Sequence, residues 1–352
     1  MSLSDGMAAI NLEMSSRVPR TEYSAHFHWD LVKAVCGIEV GSRSSMEGQA
    51  KASAAFLKAW NYDFMWNILI HRQVFDGFCT SMGHAEYTQG GTDYDNTVNC
   101  PFKSPQQVLE FEPWEQYGQR DEGKLIKDFN QHYEMLCNDE PDLVNTTGIY
   151  VTCISGLIEI FGWDMMLMAA GTDMEGFGKL TNRYASWIQQ YFNALAESKT
   201  PVVMVHDDIV WTSGAFISPG WYRKFVFPNY KKYFAPLREA GKKIIYTSDG
   251  NYTEFIDDIA ATGVHGFVME PVTNMKYIAE KYGKTHIFIG NADCRVLMEN
   301  DKDAIRAEVQ RCMDIGKNCP GFFLAVGNHI PANIPVENAV YYNEVYKELS
   351  QR

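Results

Sequence analysis

Pro201-Val202-Val203-Met204-Val205 runs straight into His206-Asp207-Asp208, and this stretch decides how the chain is read. A short apolar run ends abruptly on acids and an imidazole. The same beat recurs downstream. Lys243-Ile244-Ile245-Tyr246 meets Thr247-Ser248-Asp249-Gly250-Asn251, and Gly266-Phe267-Val268-Met269 meets Glu270-Pro271. His286-Ile287-Phe288-Ile289 ends on Gly290-Asn291-Ala292-Asp293, and Phe322-Phe323-Leu324-Ala325-Val326 on Gly327-Asn328-His329. Helical stretches separate these runs, so the pattern is a β/α repeat with polar strand ends. In a (β/α)8 barrel those ends share one mouth, where active sites form.

Working outward, strands are expected at 201–206, 243–247, 266–269, 286–290 and 322–326, with helices at 219–239, 252–261, 274–282, 302–316 and 335–348. Upstream, strands are expected at 64–70 and 148–154, and helices at 30–37, 44–59, 104–111, 120–137, 156–169 and 173–197. Residues 1–30 read as an irregular N-terminal extension. Residues 72–117 lack a period and read as a long excursion at the mouth, with room for a small hairpin. Seven strands are visible, and the missing eighth is expected between 72 and 120. Strands alternating with helices imply a parallel sheet. Length and the clusters after the strands favour one closed TIM barrel over residues 1–352, rather than an open doubly wound sheet.

Composition narrows the function. The chain has 352 residues, 46% apolar and 21% charged, which fits a globular core. A net charge of −13 argues against nucleic-acid binding. No apolar run approaches the roughly 20 residues of a membrane span, and the start does not read as a signal peptide. The eight cysteines form no C-x-x-C pair, which suits free thiols in a cytoplasmic protein.

Several segments resemble the uroporphyrinogen decarboxylase superfamily. They are Asp207-Asp208-Ile209, Ile217-Ser218-Pro219, Tyr222-Arg223-Lys224-Phe225 with Pro228, and Ser248-Asp249-Gly250-Asn251. The last are Gly327-Asn328-His329-Ile330-Pro331 and Ile334-Pro335-Val336-Glu337-Asn338. Order and spacing fit from about 200 to the end; Arg17 to Arg20 and the strand at 64–70 carry a weaker match. The resemblance implies a single (β/α)8 barrel and two known chemistries: decarboxylation of a tetrapyrrole's acetate arms, or methyl transfer involving corrinoid proteins. Fold alone does not choose between them.

The chain departs from both branches. The decarboxylase's arginine-rich loop is absent, and Asn67 stands at the position matched to its pyrrole-binding Asp. An amide cannot supply the charge that would stabilise a protonated pyrrole. The thiol-activating zinc motif His-x-Cys-Gly reads Thr247-Ser248-Asp249-Gly250 here, and the late Cys position reads Asn328. Zinc or another divalent metal bound through Asp249, Glu270 and His329 remains open, since oxygen and imidazole ligands also suit it.

The leading expectation is an enzyme moving a methyl group from a small methylated compound to a corrinoid held by a separate partner protein. Alternatives are a lyase acting on a carboxylated substrate and a barrel that binds a ligand without turning it over. A homodimer is open. Asp208, Asp249, Glu270 and His329 are the candidate catalytic residues; Asn67, His206, Asn291, Asp293 and Asn328 are the candidate substrate contacts. Within His206-Asp207-Asp208, alternation lets at most two side chains face the mouth, and one is expected to bond loop backbone. Tyr87, Tyr94 and Trp211 are candidate pocket walls. His26 and His28 are expected to be structural, and Cys294 to be packing.

Overall fold

The structure, a computed structural model, describes residues 2–84 and 98–352, and the backbone of 87–88 and 91–92. Its centre is a ring of short strands. Thr147–Ile149, Val202–His206, Lys243–Thr247, Gly266–Val268, Ile287–Ile289 and Phe322–Phe323 form a six-stranded parallel sheet in that order. Phe64–Met65 pairs in parallel with Val144–Asn145, which leads directly into Thr147–Ile149.

The eighth member lies outside the region expected to hold it. Residues 19–21 cross the seam: the Leu324 N–H donates to Pro19 and the Thr21 N–H to Leu324, while the Asp63 N–H donates to Arg20. Backbone hydrogen bonds therefore connect the last strand, through this extended segment, to the first. The segment was not legible as a strand because a single isolated bridge, Arg20 to Leu324, gives no run of alternating residues.

The side chains of the ring fall into two sets, as the two-residue period of a strand requires. Val202, Met204, Ile245, Val268, Ile287, Ile289, Phe323 and Ala325 fill the barrel interior. Val203, Val205, Ile244, Tyr246, Phe267, Phe288, Phe322 and Leu324 face the surrounding helices. A helix at Leu3–Ile10, inside the stretch expected to be irregular, adds Ala9 and Ile10 to the interior set.

Element boundaries shift where capping or glycine intervenes. The strand expected at 64–70 is only Phe64–Met65, with Ile70 bridging Ile149 separately. The helix expected at 156–169 is two, Ile154–Phe161 and Trp163–Thr172, broken at Gly162 with φ +74°. Pro228 opens a new helix at Phe227–Glu239, so the stretch 219–239 is also split. Within the excursion, Tyr87–Thr88 and Gly91–Thr92 form an antiparallel hairpin. The side chain of Tyr87 and all of Tyr94 lie outside the described residues. A second hairpin, Val210–Trp211 with Gly214–Ala215, was not foreseen. No single described helix is long and apolar enough to cross a membrane.

Candidate active site

The strand Val202–His206 sends Val202 and Met204 inward, and His206 continues that phase at its end. Beyond it the chain turns, and the two aspartates part. Asp207 is buried and structural: it accepts from the backbone N–H groups of Cys153 (3.2 Å) and Ser155 (2.6 Å), and from the Tyr230 hydroxyl. It is the member of the cluster committed to loop backbone. Asp208 turns to the mouth. One of its oxygens lies 3.2 Å from His206 Nε2 and accepts from the Asp249 N–H at 2.9 Å. The other lies 3.3 Å from His84 Nε2, an ion-pair approach off the line of a good hydrogen bond.

His84 completes a chain. Its Nδ1 is 2.8 Å from Oε1 of Glu159, a carboxylate on the otherwise apolar helix Ile154–Phe161. Gly83 permits the approach, because a Cβ there would sit 2.7 Å from the Glu159 backbone and carboxylate. The Tyr150 ring stacks on His206 at 3.8 Å, and Tyr150 O lies 3.3 Å from His206 Nδ1. Two buried carboxylates and two imidazoles thus alternate as Glu159, His84, Asp208, His206. A buried charge persists only when paired.

The titration of these groups follows from that alternation. Burial works against charge on His84, but Asp208 and Glu159 on either side raise it to about 10. His206 is raised too, by Asp208 against burial. Burial would push Asp208 up, yet His206 and His84 hold it well below the ordinary carboxylate range. Glu159 is lowered by His84 in the same way, again against burial.

Asp249 has no such counter-charge beside it. Burial, the Asp208 charge and Glu270 push it up to about 7, with His206 and His84 opposing. The side chain of Asp249 is exposed on the cavity that it lines, so it is reachable. Gly250, at φ +79°, makes the turn that points its N–H at Glu270 Oε2, 2.8 Å away. The second Glu270 oxygen accepts from Asn328 Nδ2 at 2.5 Å. The cavity measures about 660 Å³ and is lined by Asp208, Asp249, Glu270, Asn328, Trp163 and Trp211 among others. Among the described residues no lysine or arginine lines it.

The remaining candidates divide. Asp293 and His329 border an adjoining cleft of about 260 Å³ that shares Thr212, Glu270 and Asn328 with the larger cavity. Asp293 is engaged by Arg295 at 2.6 Å and caps the following turn. Burial lowers the pKa of His329. Asn291 is buried structure rather than a lining group: its amide donates to the Glu270 and Thr273 carbonyls, and its own oxygens accept from Arg311. Asn67 lies at the end of its strand, its backbone tied to the Thr146 hydroxyl at 3.0 Å. Cys294 is raised to about 11 by burial, which suits packing rather than nucleophilic work. His84 and Glu159 were missed. A single acid inside Ile154-Ser155-Gly156-Leu157-Ile158-Glu159-Ile160-Phe161 was the signal, since such a residue needs a partner.

The expected metal set is not assembled. Among the described residues, no three His, Cys, Asp or Glu side chains are placed to hold a metal ion. The Glu270 oxygens already accept from Gly250 and Asn328, and both site histidines face carboxylates. Asp249, Glu270 and His329 as a zinc trio do not fit this geometry.

A parallel β/α ring with acids at its mouth defines the class: a TIM-barrel protein of enzyme architecture. The family model for uroporphyrinogen decarboxylase (URO-D) matches residues 147–349, more than half of the sequence, and the chain belongs to that family. It is 26% identical over 186 residues to a uroporphyrinogen decarboxylase from Geobacter sulfurreducens, covering 53% of this chain and 52% of that one. Against the Thermus thermophilus enzyme it is 28% identical over 172 residues, or 49% and 48% of the two chains. The chain thus spans about half the length of the curated relatives it matches. A methyltransferase from Methanosarcina mazei superposes with a TM-score of 0.63 at 17% identity, over 99% of both chains. That likeness establishes the shared fold.

Proposed function

We propose that this chain is a methyltransferase that moves a methyl group from a small methylated compound to a corrinoid protein. The observation that carries the reading is the place of Asp249 on the cavity wall, its N–H bonded to Asp208, which His206 and His84 hold ionised, so that a proton at this mouth is favoured on Asp249. An acid near ambient pH is suited to protonate a leaving heteroatom. The likeness in fold to a methyltransferase agrees with it.

The chain's own residues would act as follows. Trp163 and Trp211, with ring centroids 6.0 Å apart, wall the cavity on one side of the substrate. Protonated Asp249 delivers its proton to the oxygen, nitrogen or sulfur that the methyl group leaves. The carbon–heteroatom bond breaks with its electron pair remaining on that atom, which departs protonated. Asp249 recovers a proton through the open cavity. His206 and His84 keep Asp208 ionised, so the site's mobile proton resides on Asp249. When bound, the partner's corrinoid supplies the cobalt that accepts the methyl group. Trp211, 46% exposed at the rim, lies where such a partner would dock.

The test is methylation of reduced free cobalamin by the purified chain, followed spectrally across methyl ethers, methylamines and methyl thiols. At least one class should react, and Asp249→Asn should slow it by about 100-fold or more. Reaction of none, or full activity in that variant, would overturn the reading.

Decarboxylation is the second reading, because the curated relatives carry that name. Its substrate bears many carboxylates, and this mouth offers them little. Arg17 and Arg20 are committed to Asp63 and Glu22, and Arg295 to Asp293. Coproporphyrinogen formation by the pure protein would restore it.

A further inference from the structure

Beside the acidic mouth lies a different kind of space. A pocket of about 530 Å³ is bounded by Tyr23, Phe27, Trp29 and Pro331, with His28 and His329 in its wall. It adjoins the acidic cleft, with which it shares His329 and Pro331. Its walls carry no formal charge. His28 Nδ1 accepts from the Leu31 N–H at 3.2 Å while Nε2 lies 2.9 Å from the Ile334 carbonyl, which fixes the neutral Nε2–H tautomer. His329 is held toward its neutral form by burial.

Two features call for an occupant. Phe27 is 56% exposed, and its ring lies 6.0 Å from Trp29, leaving aromatic surface open at the pocket. Tyr23 Oη and Ser24 Oγ are buried atoms with no hydrogen-bond partner among the described residues. Buried hydroxyls are normally satisfied, so two orphans in one pocket point to a ligand oxygen or water.

We propose that this pocket binds an uncharged aromatic ring bearing an oxygen substituent, as the part of the substrate remote from the group that reacts. Aromatic walls favour a flat π-face over an aliphatic ring of the same size. The uncharged lining suits a phenol or its ether better than a carboxylate, which Asp249 and Glu270 beyond the Tyr23 hydroxyl would also repel. The Tyr23 and Ser24 hydroxyls read the oxygen. That the ring is joined to the reacting methyl group rests on the methyl-transfer reading; that the pocket binds it does not.

Calorimetry and tryptophan fluorescence on the full chain, with phenol as the probe, test this. Phenol should bind in the millimolar range, and cyclohexanol about tenfold more weakly. Phe27→Ala, at an exposed site where the fold is not at risk, should weaken phenol binding about tenfold. Tyr23→Phe should retain benzene binding and reduce the preference for phenol over benzene, and Ser24→Ala added to it should erase that preference. No phenol binding, equal binding of cyclohexanol, or unchanged binding in all of these variants would overturn the proposal. The two readings fail separately. Phenol bound with no methyl donor consumed leaves the pocket standing and sinks methyl transfer. Methylation of cobalamin by a chain without phenol affinity sinks only the pocket.

Discussion

The two halves of the barrel solve the same problem differently. From residue 201 onward, each strand is a short apolar run that ends on polar residues, most of which reach the mouth, and neighbouring strands align in plain parallel register. Before residue 150, the ring members are two- or three-residue pairings and a single bridge, held by side chains as much as by backbone. Arg20, fully buried, pairs with Glu22 at 2.6 Å, bonds Asn343 and lies over Trp60 and Tyr346. Glu22 in turn accepts from the Val326 N–H, and Arg17 clamps Asp63. The regular half carries the proton chemistry. The irregular half supplies the seal and His84, one of the imidazoles that fix the protonation pattern.

If that division holds, damage to the regular half should stop turnover and spare the fold. Asp249→Asn keeps shape but removes the ionisable proton, and should lower kcat by about 10²- to 10⁴-fold with an unchanged unfolding midpoint. A lowered midpoint with matching loss of activity would erase the contrast between the halves. Damage to the seam should do the reverse. Arg20→Met leaves Glu22 buried without its partner and should cost about 3–5 kcal/mol by urea unfolding. Adding Glu22→Gln should recover part of that loss. An Arg20→Met protein of normal stability would mean that the seam is not what holds the ring.

A subtler probe joins the halves through His84. Asp249 acts as an acid only while protonated, so activity should fall as pH rises through about 7. His84 opposes the upward shift of Asp249, and His84→Gln should move that falling limb to higher pH. A limb that stays in place would separate His84 from the site. Stability gives a second readout. His84 is raised to about 10 in the folded chain, against about 6.5 unfolded. Its contribution is complete below the lower value and lost as pH climbs through the upper one. The Tm gap between wild type and His84→Gln should therefore shrink steadily over that window. The smallest effect is expected at the rim: Trp211→Ala should raise KM by about three- to tenfold and leave kcat intact.

How much was legible follows from periodicity. The strands after 201 were readable because each is a contiguous apolar run, and the acids at their ends came with them. Asp208, Asp249 and Glu270 gather as that phase implies. Asn291 follows its strand in the same phase, yet it is drawn into the backbone by Arg311 on a later helix, a contact no local pattern encodes. The eighth ring member leaves no strand signal, because residues 19–21 are too short to show a period. His84 sits in the excursion, and its role is set by Glu159, 75 residues away. Long-range pairing of two charged groups leaves only one trace in the sequence: a lone acid in an apolar helix.

The seam has a consequence for how the molecule comes into being. Glu22 meets its Val326 partner across 304 residues of chain, among the longest separations a chain of 352 allows. During synthesis the segment 19–21 meets Asp63 early but must wait about 300 residues more before its second neighbour, at Leu324, exists. Arg20 and Glu22 can pair with each other and with Trp60 meanwhile, but Tyr346 and the Val326 N–H that complete their enclosure arrive last. Contacts of such high sequence separation form slowly. The nascent barrel is thus an open sheet with a waiting edge until its final strand emerges, and that interval is when it is most exposed to misassembly.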